Sequence, residues 1–234
     1  MIHSDLNQNK QNGFYVSPLA NIGYQNRKIG NFNLNAGRKF STVSINDVYT
    51  NYIYQGNRNF KQSNVNFAVL QDCNLGFSYN VGEQMSQYLN FNINFFKSGD
   101  YLSNNMIVNP NYTFNQTILV KNNSNLSASL ELRKYLKPIR SRLSILSSYM
   151  QSGYENSVNN QPLIKTKFIN WKAAFEMKSG WTKFINYECG YEWAFNTISS
   201  KVNSNKYIDQ KGFLNLYFTI NSQFRIESLV EYYK

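Results

Sequence analysis

The segment KFINYECGYEWAFN, residues 183–196, separates cleanly when every second residue is taken. One set is Ile185, Tyr187, Cys189, Tyr191, Trp193 and Phe195; the other is Asn186, Glu188, Gly190, Glu192, Ala194 and Asn196. A period of two is the geometry of a β-strand, whose successive side chains leave opposite faces. One face here is oily and aromatic, and the other is polar, small or acidic. A register slip of one residue would turn both glutamates onto the oily face, so the pattern specifies its pairing strongly.

The same alternation recurs along the chain. Residues 72–81 set Cys73, Leu75, Phe77, Tyr79 and Val81 against polar neighbours. Residues 88–96 set Leu89, Phe91, Ile93 and Phe95 against Asn90, Asn92 and Asn94. In 125–133, Leu126, Ala128, Leu130 and Leu132 alternate with Ser127, Ser129, Glu131 and Arg133. In 169–177, Ile169, Trp171, Ala173, Phe175 and Met177 alternate with Asn170, Lys172, Ala174 and Glu176. Residues 213–220 carry Leu214, Leu216, Phe218 and Ile220 on one phase. These patterns predict ten strands, at 14–25, 31–44, 72–81, 87–101, 125–135, 141–154, 164–177, 181–196, 207–220 and 223–234. Several sustain alternation for roughly 10 to 14 residues, beyond the usual 5 or 6 and long enough to cross a bilayer when tilted. Two details fit less well: Arg38 falls on the oily phase of 31–44 and calls for a bulge or a rim position, and Pro18 interrupts 14–25.

Composition agrees with strands that have unlike faces. Of 234 residues, 42% are hydrophobic, 16% aromatic and only 16% charged. The aromatic content excludes a disordered chain, and the low charge is unusual for a soluble globular surface. The net charge of +11 comes from Lys and Arg spread along the chain, with no run of like charges, so it does not form a nucleic-acid footprint. Cys73 and Cys189 both take the oily phase and read as small hydrophobes. The single histidine, His3, leaves no material for a zinc site or a His-based triad, and nothing implies a cofactor. The opening residues lack the pattern of an export signal, and no apolar run suits a membrane-crossing helix. Residues 1–13 read as a poorly ordered start.

The connections between the expected strands alternate in length. Short links (NRKIG, VGEQM, LKPIR, KSG, NS) alternate with longer ones at 45–71, 102–124, 155–163 and 197–206. Short turns on one rim and long loops on the other characterise outer-membrane barrels. In hydrocarbon every backbone polar group must be paired within the protein, so strands span only as closed barrels. The expected fold is therefore all-β: an antiparallel, up-and-down transmembrane β-barrel of about ten strands, with short periplasmic turns and long extracellular loops. On this basis Leu89, Phe91, Ile93, Phe95, Tyr187, Tyr191, Trp193, Phe195, Leu214, Leu216 and Phe218 face lipid, and Glu131, Arg133, Glu188 and Glu192 face the lumen. A soluble β-sandwich also alternates and stays as an alternative.

The stretch YTNYIYQGNRNFKQSNVNF, 49–67, resembles a barrel loop of TonB-dependent receptors, in which an aromatic stretch leads into a Gly-Asn-x-x-Leu-Lys-Pro-Glu-like run. Gly56, Asn57, Phe60 and Lys61 match in kind, while Arg58, Gln62 and Ser63 depart from it. LQDCNLGFSYNVG at 70–82, the hairpin at 126–160 and FTINSQFRIESLVEYYK at 218–234 are similar to later strands of the same barrel. The resemblance is nearest to Bacteroidota-type receptors with a carboxypeptidase-regulatory-like N-terminal domain. It implies a bacterial outer-membrane location and energised uptake of a siderophore, glycan or peptide. It also implies partners outside this chain: membrane lipid, a plug domain, the remaining strands of a barrel of about 22, and the TonB complex. The chain then represents one partial barrel domain, 1–234, without the plug. Ten is an even number, so a small complete barrel serving as pore or surface anchor is the alternative.

Ligand contacts are expected from Tyr49, Tyr52, Tyr54, Arg58 and Asn59 in the first long loop and from Tyr112, Phe114 and Asn115 in the second. Aromatic and amide side chains suit sugar and peptide faces. An enzyme is not expected. Glu188 and Glu192 lie four residues apart on one strand, about 13 Å between Cα atoms at ~3.3 Å per residue, beyond the roughly 5 to 9.5 Å of a glycosidase pair.

Overall fold

The computed structural model describes residues 14–48, 50–63, 65–66, 68–83, 86–179, 185–201, 203–219 and 224–234. Its frame is one antiparallel sheet. β1 (Leu19–Asn26) and β2 (Gly30–Thr42) open it, followed by an insertion holding a single helical turn α1 (Ile45–Val48) and the short strands β3 (Ile53–Gly56) and β4 (Asn59–Ser63). Then come β5 (Val69–Glu83), β6 (Gln87–Asn109), β7 (Tyr112–Leu136), β8 (Ser141–Val158), β9 (Ile164–Ser179), β10 (Ile185–Ser199), β11 (Ser204–Thr219) and β12 (Arg225–Tyr233). The path runs β1-β2-β5-β6-β7-β8-β9-β10-β11-β12, ten strands each beside its neighbour in the chain, as the alternation implied. β1 starts only at Leu19, just past Pro18. Pro18 has no N–H to give, but its carbonyl accepts from Arg38 N at 2.9 Å, which suits an edge strand.

Register assigns every side chain to a face. On one face lie Leu34, Phe77, Ile93 and Ala128 in one cross-strand row, and Ile145, Phe175 and Tyr191 in another. The oily residues of β10 continue into Leu214, Leu216 and Phe218 of β11. No second sheet covers this face among the described residues, so a β-sandwich is not the fold. Leu75, Phe95, Trp171, Phe175, Trp193 and Leu214 all stand exposed on it. The buried hydrophobic residues are Val43, Val65, Phe114 and Val120, in the insertion and the end of the sheet beside it. Nor do the described residues close into a complete ten-stranded barrel: β1 pairs with β2 and β12 with β11, and among the described residues the two edges do not meet. Arg38 lies on the oily face opposite Cys73, in a β2–β5 register without a bulge. Its guanidinium donates to Gln71 Oε1 and sits 4.7 Å from the centroid of the Phe40 ring, which follows it on the same face near the end of the oily stripe.

The two ends differ, but through strand height more than loop length. The expected loop 102–124 is strand: β6 and β7 reach 23 and 25 residues and meet at a two-residue turn, Pro110–Asn111. The other long connections shrink to 159–163 and 200–203, and only 43–68 remains an extended excursion. The links at 181–184 and 220–223 lie outside the described residues.

The tall β6–β7 ribbon turns over as it rises. At its base β6 pairs with β5 and β7 with β8. At its top β7 pairs in parallel with β4, from Asn59↔Thr113 to Ser63↔Thr117, while β6 pairs in parallel with β8 at Asn105↔Ser157 and Met106↔Val158. The lateral order changes from β5-β6-β7-β8 to β4-β7-β6-β8, which requires a half-turn of the ribbon. Two-stranded ribbons twist more than sheets. The one break in the ladder marks the place: Gly99 faces Asn122, whose φ of 64° is left-handed. Asparagine tolerates that conformation far better than a β-branched residue. Asn122→Val is therefore expected to weaken the top of the ribbon by about 1–2 kcal/mol. Hydrogen exchange should quicken roughly tenfold at the amides of Thr113 and Asn159 but not in β9–β11, and Asn122→Gly should be tolerated.

Candidate functional site

The ribbon top and the insertion build one rim from distant parts of the sequence. Thr113 N donates to Arg58 O at 3.0 Å, tying β7 to the β3–β4 turn. Tyr52 packs on Phe114 with ring centroids 5.3 Å apart, and Phe60 bridges Tyr54 at 5.5 Å and Tyr112 at 6.2 Å. The β3–β4 turn holds Asn57 and Arg58 at φ 46° and 62°, the primed-turn geometry that two-residue hairpins favour. Asn59 and Asn115 enter the β4–β7 ladder opposite Thr113 and Lys61.

The described members of the two sets of expected ligand residues thus meet, although 52 to 59 lies far from 112 to 115 in sequence. Their exposures separate their roles. Phe114 is 9% exposed and serves as packing; Tyr52 and Tyr54 are 69% and 65% exposed, and Tyr112 is 43% exposed. Tyr49 lies outside the described residues.

A polar latch on the other side of the ribbon was not legible in the sequence. The Tyr101 hydroxyl and Ser103 Oγ both donate to Glu155 O, and Glu155 N donates back to the Tyr101 hydroxyl. Asn105 Nδ2 donates to Asn160 Oδ1 at 2.6 Å and to Gln116 Oε1 at 3.2 Å. Val108 N donates to Asn159 Oδ1 at 2.8 Å. Small polar residues without a period announce none of this.

Beneath the rim, the polar face carries paired charge. Lys172 meets Glu192 at 2.7 Å and Lys178 meets Glu188 at 3.0 Å; Glu131 pairs with Arg133 two residues along the same strand. Lys211–Glu231 and Arg225–Glu227 complete the set at 3.0 and 2.9 Å. Glu131, Glu188 and Glu192, the acids expected to face the lumen, thus each have a cation, and all three lie opposite the oily stripe. Among the described residues no group of acidic, Cys and His side chains could hold a metal ion.

The insertion has its own electrostatic tie. Asp47 accepts from Ser44 Oγ at 2.8 Å and pairs with Lys61 at 3.0 Å, joining α1 to β4. The Ser44 hydroxyl first, and Lys61 second, hold its carboxyl below the ordinary aspartate range. A lowered folded-state pKa stabilises at pH above the unfolded value, and the gain disappears as pH falls through the folded value. Asp47→Asn should therefore cost at most about 1 kcal/mol at neutral pH, since the pair is largely solvated, and nothing in strong acid. Hydrogen exchange at Lys61 and Ser63, compared with wild type across pH, measures this.

No family model and no curated protein matches the chain. Two solved structures of similar strand course are outer-membrane transporters. One is the outer membrane transporter YddB from Escherichia coli, 8% identical at a TM-score of 0.49, covering 93% of this chain and 33% of that one. Another is the Pseudomonas putida toluene transporter TodX, 8% identical at a TM-score of 0.33, covering 94% of this chain and 68% of that one. The chain thus spans about a third of the length of YddB. Likeness at this level carries no functional argument.

Proposed function

We propose that this chain is a section of the wall of an outer-membrane transport barrel, its oily face against lipid and its paired charges toward the lumen. The observation that carries this is an uncovered apolar stripe across the ten-stranded path while every ion pair in the path lies on the reverse face. A soluble protein would cover such a stripe, because contiguous apolar patches of that extent drive association. Hydrocarbon covers it without a second sheet. The polar face has the opposite need: Asn33, Asn125 and Asn215 bury amide oxygens there without a protein partner, which favours contact with water or a polar plug. The open edges at β1 and β12 call for further strands, since unpaired edge groups do not survive in a bilayer.

Within this class, energised uptake by a TonB-dependent receptor is the reading we favour. The plug, the remaining strands and the TonB complex are then its partners, and the role is transport rather than catalysis. Glu188 and Glu192 support that choice, since each is held by a lysine and they do not converge on a common point. Tyr52, Tyr54, Tyr112 and Arg58 are the rim groups placed to meet a siderophore, glycan or peptide, with Phe114, Asn59 and Asn115 as their support. The same two-faced sheet supports an outer-membrane location.

Two experiments test the wall. Ile93→Arg puts a cation on the lipid side and should cost about 2–4 kcal/mol, abolishing the heat-modifiable band in outer-membrane fractions. Asn92→Arg, one residue away, should leave that band intact. Equal effects would overturn the assignment of faces. Separately, residues 1–234 exported alone should give no protease-resistant, heat-modifiable species, whereas a version joined to further barrel strands should give one.

A further inference from the structure

The oily stripe ends, toward the ribbon, in cations that have no acidic partner. Arg38, Lys97 and Lys167 share a single cross-strand row, Arg38–Cys73–Lys97–Ser124–Gly153–Lys167. Lys206 lies one step nearer the stripe, opposite Thr197. On each of these strands the next residue of the same face toward the sheet centre is apolar or small: Ala36, Phe95, Ile169 and Ile208. All four cations are exposed, and none forms an ion pair among the described residues. The acid at this end of the face, Glu155, stands opposite Lys165. The ion pairs of the path therefore gather on the polar side, while one margin of the oily side is left positive.

We propose that these cations form a collar that binds anionic, phosphate-bearing lipid headgroups at the membrane surface. The inference rests on the membrane reading above. Apolar chains below and positive charge at their edge match the two parts of an anionic lipid. The cations recur every two or three strands, about 10–14 Å apart at ~4.8 Å per strand. That is too far to converge on one phosphate ion, yet suited to a row of separate headgroups. Long side chains of Lys and Arg reach such a surface while their stems lie on apolar neighbours.

The test uses the full protein isolated from outer membranes and reconstituted into phosphatidylcholine vesicles with spin-labelled phosphatidylglycerol or spin-labelled phosphatidylcholine as reporter. The wild type should favour the anionic lipid roughly fivefold at each cation site, and 1 M salt, with a screening length of about 3 Å, should erase the preference. The combined variant Arg38→Gln, Lys97→Gln, Lys167→Gln, Lys206→Gln should show almost none. Lys172→Gln with Lys178→Gln, on the polar face, should keep it. A preference that survives both salt and the fourfold variant overturns the collar, as does its loss to inorganic phosphate at constant ionic strength. A wild type that does not enter neutral vesicles overturns the membrane reading; one that enters and shows no lipid preference overturns the collar alone.

Discussion

The hydrogen-bonded register between neighbouring strands is the constraint on which the rest of the molecule depends. Each residue pair fixes which face two side chains take, and the choice passes from strand to strand along the path. Trp171 stacks on Phe195 at a centroid distance of 5.0 Å because β9 and β10 pair them. Lys172 finds Glu192 on the reverse side because the same pairing sets their phase. Moving one strand by one residue would bury neither group well: glutamates would enter the stripe and aromatic rings would leave it. Cross-strand pairs are each worth less than about 1 kcal/mol, so it is their agreement over many strands that makes the arrangement specific.

The insertion and ribbon work on a different principle. There the chain builds a small conventional core from Val43, Val65, Phe114 and Val120, and closes it with side-chain hydrogen bonds. Thr117 on β7 is buried too, as are Asn105 and Ser157 where β6 meets β8. The sheet below uses its environment as the missing layer, whereas the rim brings its own. That division explains why exposed tyrosines can be held at the rim: their neighbours are packed even though their own faces are open.

Sequence patterning revealed the ten-strand path and its faces because period two is a local signal. The pattern at 88–96 survives into the ladder pair for pair, Phe91 beside Tyr79 and Leu130. The tall ribbon was less legible. Thr117-Ile118-Leu119-Val120 is a continuous apolar run without alternation, and the asparagines at 104, 105, 109 and 111 read as loop. The pairing of β4 with β7 joins segments some fifty residues apart and needs the half-turn at Asn122, a backbone angle that residue type permits but does not dictate. The ligand candidates at 52–59 and 112–115 were named from separate loops, and only the fold makes them neighbours.

The crossed ribbon also has a temporal meaning. Its own turn is local, so β6 and β7 can zip within microseconds. The contacts that lock its tip are long-range: β4 must arrive from one side and the end of β8 from the other. Such closures are slow because chain entropy is spent before contacts reward it. The tip must also rotate before either flank can seize it, since early capture by β4 in the untwisted order would present β6 instead of β7. Chain entropy thus favours a rim that matures after the wall beneath it.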